Sequence, residues 1–495
     1  MAAEVPPLFA HQVVGVQALT TWSDPAGGRV AGGCYLLADE QGAGKTRQVI
    51  DAMQQLHAEG RINRAIIVCP ANVRPVWFDP ELGQLAEYLV LPARVTEYRP
   101  RSRSWERGAG EPLEIIVTNY EFIRRANRLE PLLKVADENT LLILDESAAV
   151  KSHGSLTTKA CHKLRQRCGW VWLLNGTPVA EHPGDLYAQC RILDSAILGC
   201  TNWFQFRSRY AVLGGFRAKQ IVAWVNLEDL TERLKPYTLR RLKVDCLDLP
   251  PKLPPVPLEA PLTLDTWKLY KDMREDTLVY LDEHSSSVAP QAIVRIMRLS
   301  QLCSGLLGGV RSDLTPEDDP TVREVSSEKL GALLAFVKAR LEEDPGFKVL
   351  VFCRFRPEAF RAAGALERLM PTALMVGGQK RDERKAALSM LHPDHAKPGP
   401  AAVVAITRTS ATGVNLAAAH HVVYLSQDHS LYVRGQSEER VHRPGQSHPV
   451  SYYDILATGP DGQKTVDHAI LKALKRKADT ATWTCSQWAT ELRKD

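Results

Sequence analysis

The stretch CYLLADEQGAGKT, at residues 34–46, decides the fold. An apolar run of strand length leads into a glycine-rich turn that ends in Gly-Lys-Thr, and a helical pattern follows it. Gly42 and Gly44 allow backbone N–H groups to turn inward around phosphate oxygens, and the helix start adds a partial positive charge. We predict that Lys45 reaches the β- and γ-phosphates of a nucleotide and that the Thr46 hydroxyl binds magnesium.

Short apolar runs alternate with helical segments on both sides of a proline-dense stretch, LDLPPKLPPVP, at residues 247–257. This alternation is typical of parallel, doubly wound sheets, and the prolines exclude a regular helix or a central strand between them. We therefore predict an α/β protein with two parallel-sheet lobes, at residues 1–250 and 251–495. Each lobe carries a short helical addition, at about residues 183–249 and 262–325, the first without buried strands. The strands are predicted at residues 34–38, 65–69, 114–118, 141–144 and 170–174, and at 348–352, 372–376, 402–407, 421–425 and 450–455.

An acidic pair ends the apolar run LLILDESAAVK, at residues 141–151. Carboxylates at the carboxyl end of a parallel strand lie in the crevice where ligands bind. We predict that Asp145 holds the magnesium and that Glu146 orients and deprotonates an attacking water. The alternative is two solvated acids in a turn, which the upstream glycine-rich loop disfavours.

Two arginines stand three residues apart in QSEERVHRPGQSHPV, at residues 436–450. On a helix, Arg440 and Arg443 would share one face, and planar guanidinium groups suit phosphate oxygens. If the second lobe docks on the first, both arginines can stabilise the γ-phosphate in the transition state. The alternative is a solvated basic helix.

Composition excludes few functions. A net charge of +5 only weakly favours a polyanionic partner. The sequence contains no run of about 18 apolar residues, so no membrane span is predicted. The N-terminus MAAEVPPLFAHQ has no signal-peptide pattern. The ten cysteines form no CxxC pair, which predicts reduced thiols in a cytosol-like compartment and no cysteine-based metal site.

These motifs together resemble the superfamily-two helicases and, within them, the Swi/Snf-type DNA translocases, from about residue 8 to about residue 470. Asp39 matches that family's DE-x-G-x-G-K-T loop, where the general pattern has glycine. Other segments resemble the family's remaining motifs in order: FAHQ (9–12), VCPANVRPVW (68–77), VTNYE (117–121), LLNGTPV (173–179), LRRLKVDCLDLPPK (239–252), KVLVFCRF (348–355), GGQKRDERKAAL (377–388), TRTSATGVNL (407–416) and QSEERVHRPGQSHPV (436–450).

The resemblance implies two RecA-like lobes that hydrolyse ATP with Mg²⁺ between them and move along double-stranded DNA, remodelling or displacing protein–DNA complexes. It implies that Gln12 recognises the adenine and that Gly413 and Gln436 also contact the nucleotide. Sequence-independent contacts with the nucleic-acid backbone are implied for Arg74, Trp77, Asn119, Tyr120, Thr177, Arg408 and Thr409. The basic stretch YRPRSRSWERG, at residues 98–108, is a weaker candidate that is more typical of a solvated loop.

One departure keeps other functions open. The family carries Asp-Glu-x-His in its second motif, and this chain has Ala148 at the histidine position, which puts coupling in question. A non-catalytic nucleic-acid scaffold is therefore one alternative, and a strand-separating helicase is another, although no wedge element is recognisable. The compact chain resembles the small bacterial, archaeal or phage members, for which we expect a cytoplasmic monomer whose target a partner protein could set.

Overall fold

The structure is a computed structural model that describes residues 5–21, 33–71, 73–80, 83–98, 112–176, 183–214, 220–283, 290–308, 322–410, 414–476, 490–491 and 493. Its contacts divide the chain into two compact units, Met1–Leu247 and Asp248–Asp495. No helix among the described residues combines the length and apolar character needed to cross a membrane.

The first unit is built on a seven-stranded sheet in the order β3-β4-β2-β5-β6-β1-β9, in which every pairing is parallel. Its strands are β1 (Cys34–Leu37), β2 (Arg64–Cys69), β3 (Ala93–Glu97), β4 (Leu113–Asn119), β5 (Thr140–Asp145), β6 (Trp170–Leu174) and β9 (Thr238–Leu239), with a separate hairpin of β7 (Ala211–Gly214) and β8 (Gln220–Trp224). Its helices are α1 (Ala10–Thr21), α2 (Lys45–Ala58), α3 (Arg74–Phe78), α4 (Gln84–Tyr88), α5 (Tyr120–Ile123), α6 (Ala126–Val135), α7 (Leu156–Arg165), α8 (Asp185–Leu193), α9 (Trp203–Tyr210), α10 (Leu227–Leu234) and α11 (Lys243–Cys246).

Both faces of this sheet are covered, because alternate residues of the same strand enter different cores. Leu36 packs in a cluster with residues of α6 to α10, whereas the next residue, Leu37, packs in a cluster with residues of α1 and α2. The predicted doubly wound arrangement is thereby confirmed. The addition at residues 183–249, predicted to be without buried strands, contains the strands β7, β8 and the edge strand β9. They are short or partly exposed, so they carry no long buried apolar run.

The second unit has a six-stranded, all-parallel sheet in the order β10-β17-β16-β13-β15-β14. Its strands are β10 (Val256–Pro261), β13 (Lys348–Cys353), β14 (Thr372–Met375), β15 (Ala401–Ile406), β16 (His421–Tyr424) and β17 (Ser451–Thr458), with the small pair β11 (Leu306–Leu307) and β12 (Arg323–Glu324). Its helices are α12 (Leu264–Glu283), α13 (Pro290–Cys303), α14 (Glu328–Glu343), α15 (Arg356–Leu366), α16 (Arg381–Leu391), α17 (Thr407–Ser410), α18 (Leu431–Glu438) and α19 (Val466–Lys475).

The proline-dense stretch ends in β10, which occupies the edge of this sheet. Pro257 and Pro261 both lie in this strand. An edge strand tolerates proline because one of its two sides makes no ladder hydrogen bonds. The predicted exclusion of a central strand therefore holds, but the stretch contributes more than a linker.

Candidate functional site

The glycine-rich loop lies between β1 and α2, as the sequence predicts for a phosphate-binding loop. Gly42 and Gly44 have positive φ angles of 83° and 77°, a region that residues with a Cβ rarely adopt. Gly44 is the N-cap of α2, so the first backbone N–H groups of the helix open toward the loop. Lys45 and Thr46 form the first turn of this helix.

Lys45 interacts electrostatically with both predicted carboxylates, although they lie about a hundred residues further along the chain. Desolvation lowers the pKa of Lys45, and the nearby Glu146, Asp39, Asp145 and Glu40 carboxylates raise it. Its Nζ donates to the carbonyl oxygens of Asp39 and Glu40, at 2.7 and 3.3 Å. The fold therefore brings a lysine, two phosphate-loop carboxylates and the acidic pair into one electrostatic environment.

Asp145 is held by two aromatic residues. The Trp77 Nε1 donates to its Oδ2 at 2.8 Å, and the Tyr120 hydroxyl donates to its backbone carbonyl, also at 2.8 Å. The Glu146 backbone N–H donates to its Oδ1 at 2.9 Å. Burial and the neighbouring Glu146 raise the pKa of Asp145 to about 6, while the Trp77 hydrogen bond and Lys45 oppose that rise.

Glu146 adopts a left-handed backbone conformation with a φ of 52°, which is uncommon for a residue with a side chain. Such strain persists only where the surroundings fix the chain, and it concentrates at functional positions. The following residue, Ser147, is fully buried and donates to the Gln189 side chain at 2.8 Å. Ala148 lies in the 3-10 turn that follows, at Ser147–Val150.

Gln12 lies against the phosphate loop. A Cβ built on Gly44 would meet the Gln12 Nε2 at 2.2 Å, so the absence of a side chain at Gly44 admits Gln12 there. The ring of His11 donates through its Nε2 to the Ala43 carbonyl at 2.9 Å. The beginning of α1 is thus fastened to the loop, next to the site predicted for the nucleotide.

Two predicted nucleic-acid contacts are contradicted. Trp77 and Tyr120 are 0% and 1% exposed and pack in the cores on the two faces of the first sheet. A side chain without exposed surface cannot contact nucleic acid in this conformation. Both residues instead hold Asp145, a role that their positions in the sequence did not indicate.

Other predicted contacts have partners within their own unit. The Asn119 side chain caps α5 by accepting from the Phe122 backbone at 2.8 Å. The Arg74 Nε lies 2.6 Å from the Glu97 Oε1. Arg408 makes a two-pronged ion pair with Asp428 at 2.7 and 3.1 Å, yet 63% of its side chain is exposed. Thr177, Gly413, the side chain of Thr409 and most of the stretch at 98–108 lie outside the described residues.

The predicted arginine pair is not on a helix, because α18 ends at Glu438. Both arginines lie in the turns that follow and bind the end of the motif at residues 407–416. The Arg443 Nη1 donates to the Val414 carbonyl at 2.8 Å, and the Arg440 carbonyl accepts from the Leu416 backbone at 3.0 Å. Gln436 is buried in α18, and its Nε2 donates to the Tyr432 hydroxyl at 2.5 Å.

Arg241 is a residue that sequence reasoning did not single out. It binds Asp39, Gln48 and the His11 carbonyl, all beside the phosphate loop. Two sequence features could have suggested this pair: the unusual acid Asp39 and the arginines of LRRLK. Nothing in the sequence indicates which of these arginines binds Asp39.

Comparisons with known proteins identify a family for this chain. The family of the SNF2-related domain matches residues 15–306, and the helicase conserved C-terminal domain matches residues 328–445. An uncharacterized ATP-dependent helicase of Mycoplasma genitalium is 24% identical over 447 residues, covering 90% of this chain and 39% of the relative. YwqA of Bacillus subtilis, named as a proposed ATP-dependent helicase/translocase, is 25% identical over 463 residues, covering 92% of this chain and 47% of the relative.

The chain thus spans less than half the length of these two curated relatives. Among solved structures, the Sulfolobus solfataricus SWI2/SNF2 ATPase core in complex with dsDNA is 20% identical, with a TM-score of 0.43. That similarity covers 99% of this chain and 97% of the other.

Proposed function

This chain belongs to the family of the SNF2-related domain, and from that premise we propose that it is an ATP-dependent translocase on double-stranded DNA that remodels or displaces protein–DNA complexes. The observation that carries the proposal is the electrostatic interaction of Lys45, in the first turn of α2, with Asp145 and Glu146 at the end of β5. A lysine for phosphate, a carboxylate for the metal and a second carboxylate for water are the groups that ATP hydrolysis requires.

In this proposal each group has one task. Lys45 and the backbone of the loop at Gly42 and Gly44 bind the phosphates, and Gln12 reads the adenine. Glu146 orients and deprotonates the attacking water. Arg440 and Arg443, with Gly413 and Gln436 nearby in the chain, act from the second lobe on the γ-phosphate, where positive charge stabilises the transition state.

The donor atoms of the site suit magnesium, which prefers oxygen ligands and keeps several waters. The Asp145 carboxylate and the Thr46 hydroxyl are the groups that would hold the ion, which would neutralise charge on the β- and γ-phosphate oxygens. In the described part of the chain, no group of three or more His, Cys, Asp and Glu side chains is placed to hold a metal.

Double-stranded DNA is the proposed track because the motif set is that of the Swi/Snf-type translocases. Arg74, Asn119, Thr177, Arg408 and Thr409 remain the proposed contacts, with Arg408 supported by its exposure. Contacts of this kind bind phosphates, so we expect sequence-independent affinity that falls as salt rises. The lobes are proposed to be residues 1–250 and 251–495 of a monomer whose target a partner protein sets.

The test is ATP hydrolysis measured without nucleic acid, with single-stranded DNA and with double-stranded DNA. We expect strong stimulation by the duplex, and its loss in Lys45→Ala. Glu146→Gln should lower hydrolysis by about a hundredfold or more while ATP binding persists.

The other outcomes decide between the alternatives. Stimulation by single strands alone would replace the proposal with a strand-separating helicase. DNA binding with no hydrolysis under any condition would replace it with a scaffold whose ATP site is degenerate, for which Ala148 is the motivating departure.

A further inference from the structure

Asp39 begins the phosphate loop, at the position where the general pattern has glycine, and it is fully buried. A buried carboxylate is costly unless it is paired and hydrogen-bonded. Arg241 supplies the pairing through two guanidinium nitrogens, with the Nε at 2.9 Å from the Asp39 Oδ1 and the Nη2 bound to the Oδ2. The Gln48 Nε2 adds a hydrogen bond to the Oδ2 at 3.2 Å.

The same guanidinium binds two further elements. The Arg241 Nη2 also donates to the Gln48 Oε1 of α2 at 3.0 Å. The Nη1 donates to the carbonyl of His11 in α1. One planar side chain thereby connects the start of the loop, the helix that follows it and the helix that carries Gln12, a geometry that lysine cannot reproduce.

The backbone around Arg241 strengthens this connection. The Ala38 N–H donates to the Leu239 carbonyl at 2.7 Å, and the Glu40 N–H donates to the Arg241 carbonyl at 2.9 Å. The Lys243 N–H donates to the Glu40 Oε2 at 2.7 Å. The segment from Leu239 to Lys243 thus lies alongside the first residues of the loop and is hydrogen-bonded to them.

The position of Gln12 depends on these bonds. His11 is held at two points, through its ring to Ala43 of the loop and through its carbonyl to Arg241. Gln12 is the next residue, and its side chain fills the space that a Cβ on Gly44 would occupy. A shift of α1 relative to the loop would move Gln12 away from the place where it can meet a bound nucleotide.

We propose that Arg241 is a positioning residue for the nucleotide. Through its bonds to Asp39 and His11, Arg241 fixes the position of Gln12 relative to the phosphate loop, so that both can bind the nucleotide. The proposal rests on the proposed ATP site. Because Arg241 touches neither the acidic pair nor Lys45 in the contacts described above, its removal should weaken ATP binding and leave the chemical step largely intact.

The test measures the Kd of a fluorescent ATP analogue, together with KM and kcat for ATP, in Arg241→Gln and Arg240→Gln. Arg240 is the exposed neighbour in the same motif and is the matched control. We expect Arg241→Gln to raise Kd and KM by about tenfold to a hundredfold, with kcat changed by less than about threefold. Arg240→Gln should match the wild type, and Arg241→Lys should recover only part of the loss.

Arg241→Gln leaves Asp39 buried without its charge partner, which could unfold the protein. A second variant therefore separates a loss of ATP binding from a loss of the fold. Asp39→Asn with Arg241→Gln removes both charges, and it should fold yet still bind ATP weakly because the bond to His11 is gone. Wild-type Kd in this folded double variant would overturn the inference, as would equal losses in Arg241→Gln and Arg240→Gln. A wild-type protein that binds no ATP would instead refute the proposed function, so the two failures are distinguishable.

Discussion

The indole nitrogen of Trp77 donates a 2.8 Å hydrogen bond to the Oδ2 of Asp145. Trp77 belongs to α3, which follows β2, whereas Asp145 ends the neighbouring strand β5. The bond therefore joins a segment assigned by resemblance to nucleic-acid contact with the carboxylate proposed to hold magnesium. Its geometry makes Trp77 a support of the proposed ATP site and not a surface contact.

Trp77→Phe should raise the Mg²⁺ concentration needed for half-maximal ATP hydrolysis and lower kcat by about tenfold. The reason is that the charged Asp145 carboxylate loses the hydrogen bond that the indole nitrogen donates to it. The control is Trp172→Phe. Trp172 is also fully buried, but its indole nitrogen has no hydrogen-bond partner among the described residues. Titration of hydrolysis with Mg²⁺ in both variants checks the prediction, and equal losses would show that lost ring volume is the cause.

Arg440→Gln and Arg443→Gln should each lower kcat by about a thousandfold or more, the size of effect seen when an arginine that stabilises phosphoryl transfer is removed. The affinity for ATP should change much less. The exposed Arg368→Gln in the same unit is the control. Single-turnover hydrolysis and nucleotide binding, measured side by side, separate the two effects, and an unchanged kcat would remove both arginines from the mechanism.

Arg434 is the centre of a buried ion-pair cluster in the second unit. Its guanidinium lies 2.6 Å from the Asp454 Oδ1 and 2.6 Å from the Glu438 Oε1, and it stacks on the Tyr424 ring at 3.5 Å. Arg434→Met should lower the free energy of unfolding by about 3–5 kcal/mol, because Asp454 is left buried and uncompensated.

Two comparisons test that reading of the Arg434 cluster. Arg434→Met with Asp454→Leu should recover part of the loss in urea unfolding, since both charges are then absent. Arg340→Met, which breaks an exposed pair with Glu343, should cost only about 0–1 kcal/mol. A single variant as stable as the Arg340 control would contradict the prediction.

His421 should make the protein sensitive to acid. Burial, together with the charges of His420 and Arg340, lowers the pKa of His421 to about 4, and Asp344 opposes that fall. The unfolded chain therefore binds a proton near pH 6.5 that the folded protein does not bind until about pH 4, so stability is present above pH 6.5 and is lost as the pH falls.

His421→Gln should flatten this dependence, measured as the free energy of unfolding between pH 7 and pH 5. The Tyr453 hydroxyl lies 3.3 Å from the His421 Nδ1, and a glutamine keeps a polar partner there. The exposed His395→Gln should leave the slope unchanged. Identical slopes in the His421 variant and the wild type would assign the acid sensitivity to other groups.

The sequence by itself determined the loop at residues 34–46, the strand that ends in Asp145 and the two sets of buried strands. These features are local: a run of apolar residues, a glycine that must adopt a positive φ and the residue beside it are all read within a few positions. Among the strands that escaped prediction, β3, β9 and β10 lie at the edges of the two large sheets, where exposure or shortness removes the apolar signal.

Only the tertiary structure decided what surrounds those residues. Trp77 reaches Asp145 across 68 positions of sequence, and Arg241 reaches Asp39 across 202. Neither residue differs locally from a surface tryptophan or a solvated arginine, so no periodicity or spacing identifies its partner. Partners are set by which strands lie side by side in the sheet and by the cost of leaving a buried carboxylate unpaired, and both are properties of the folded chain as a whole.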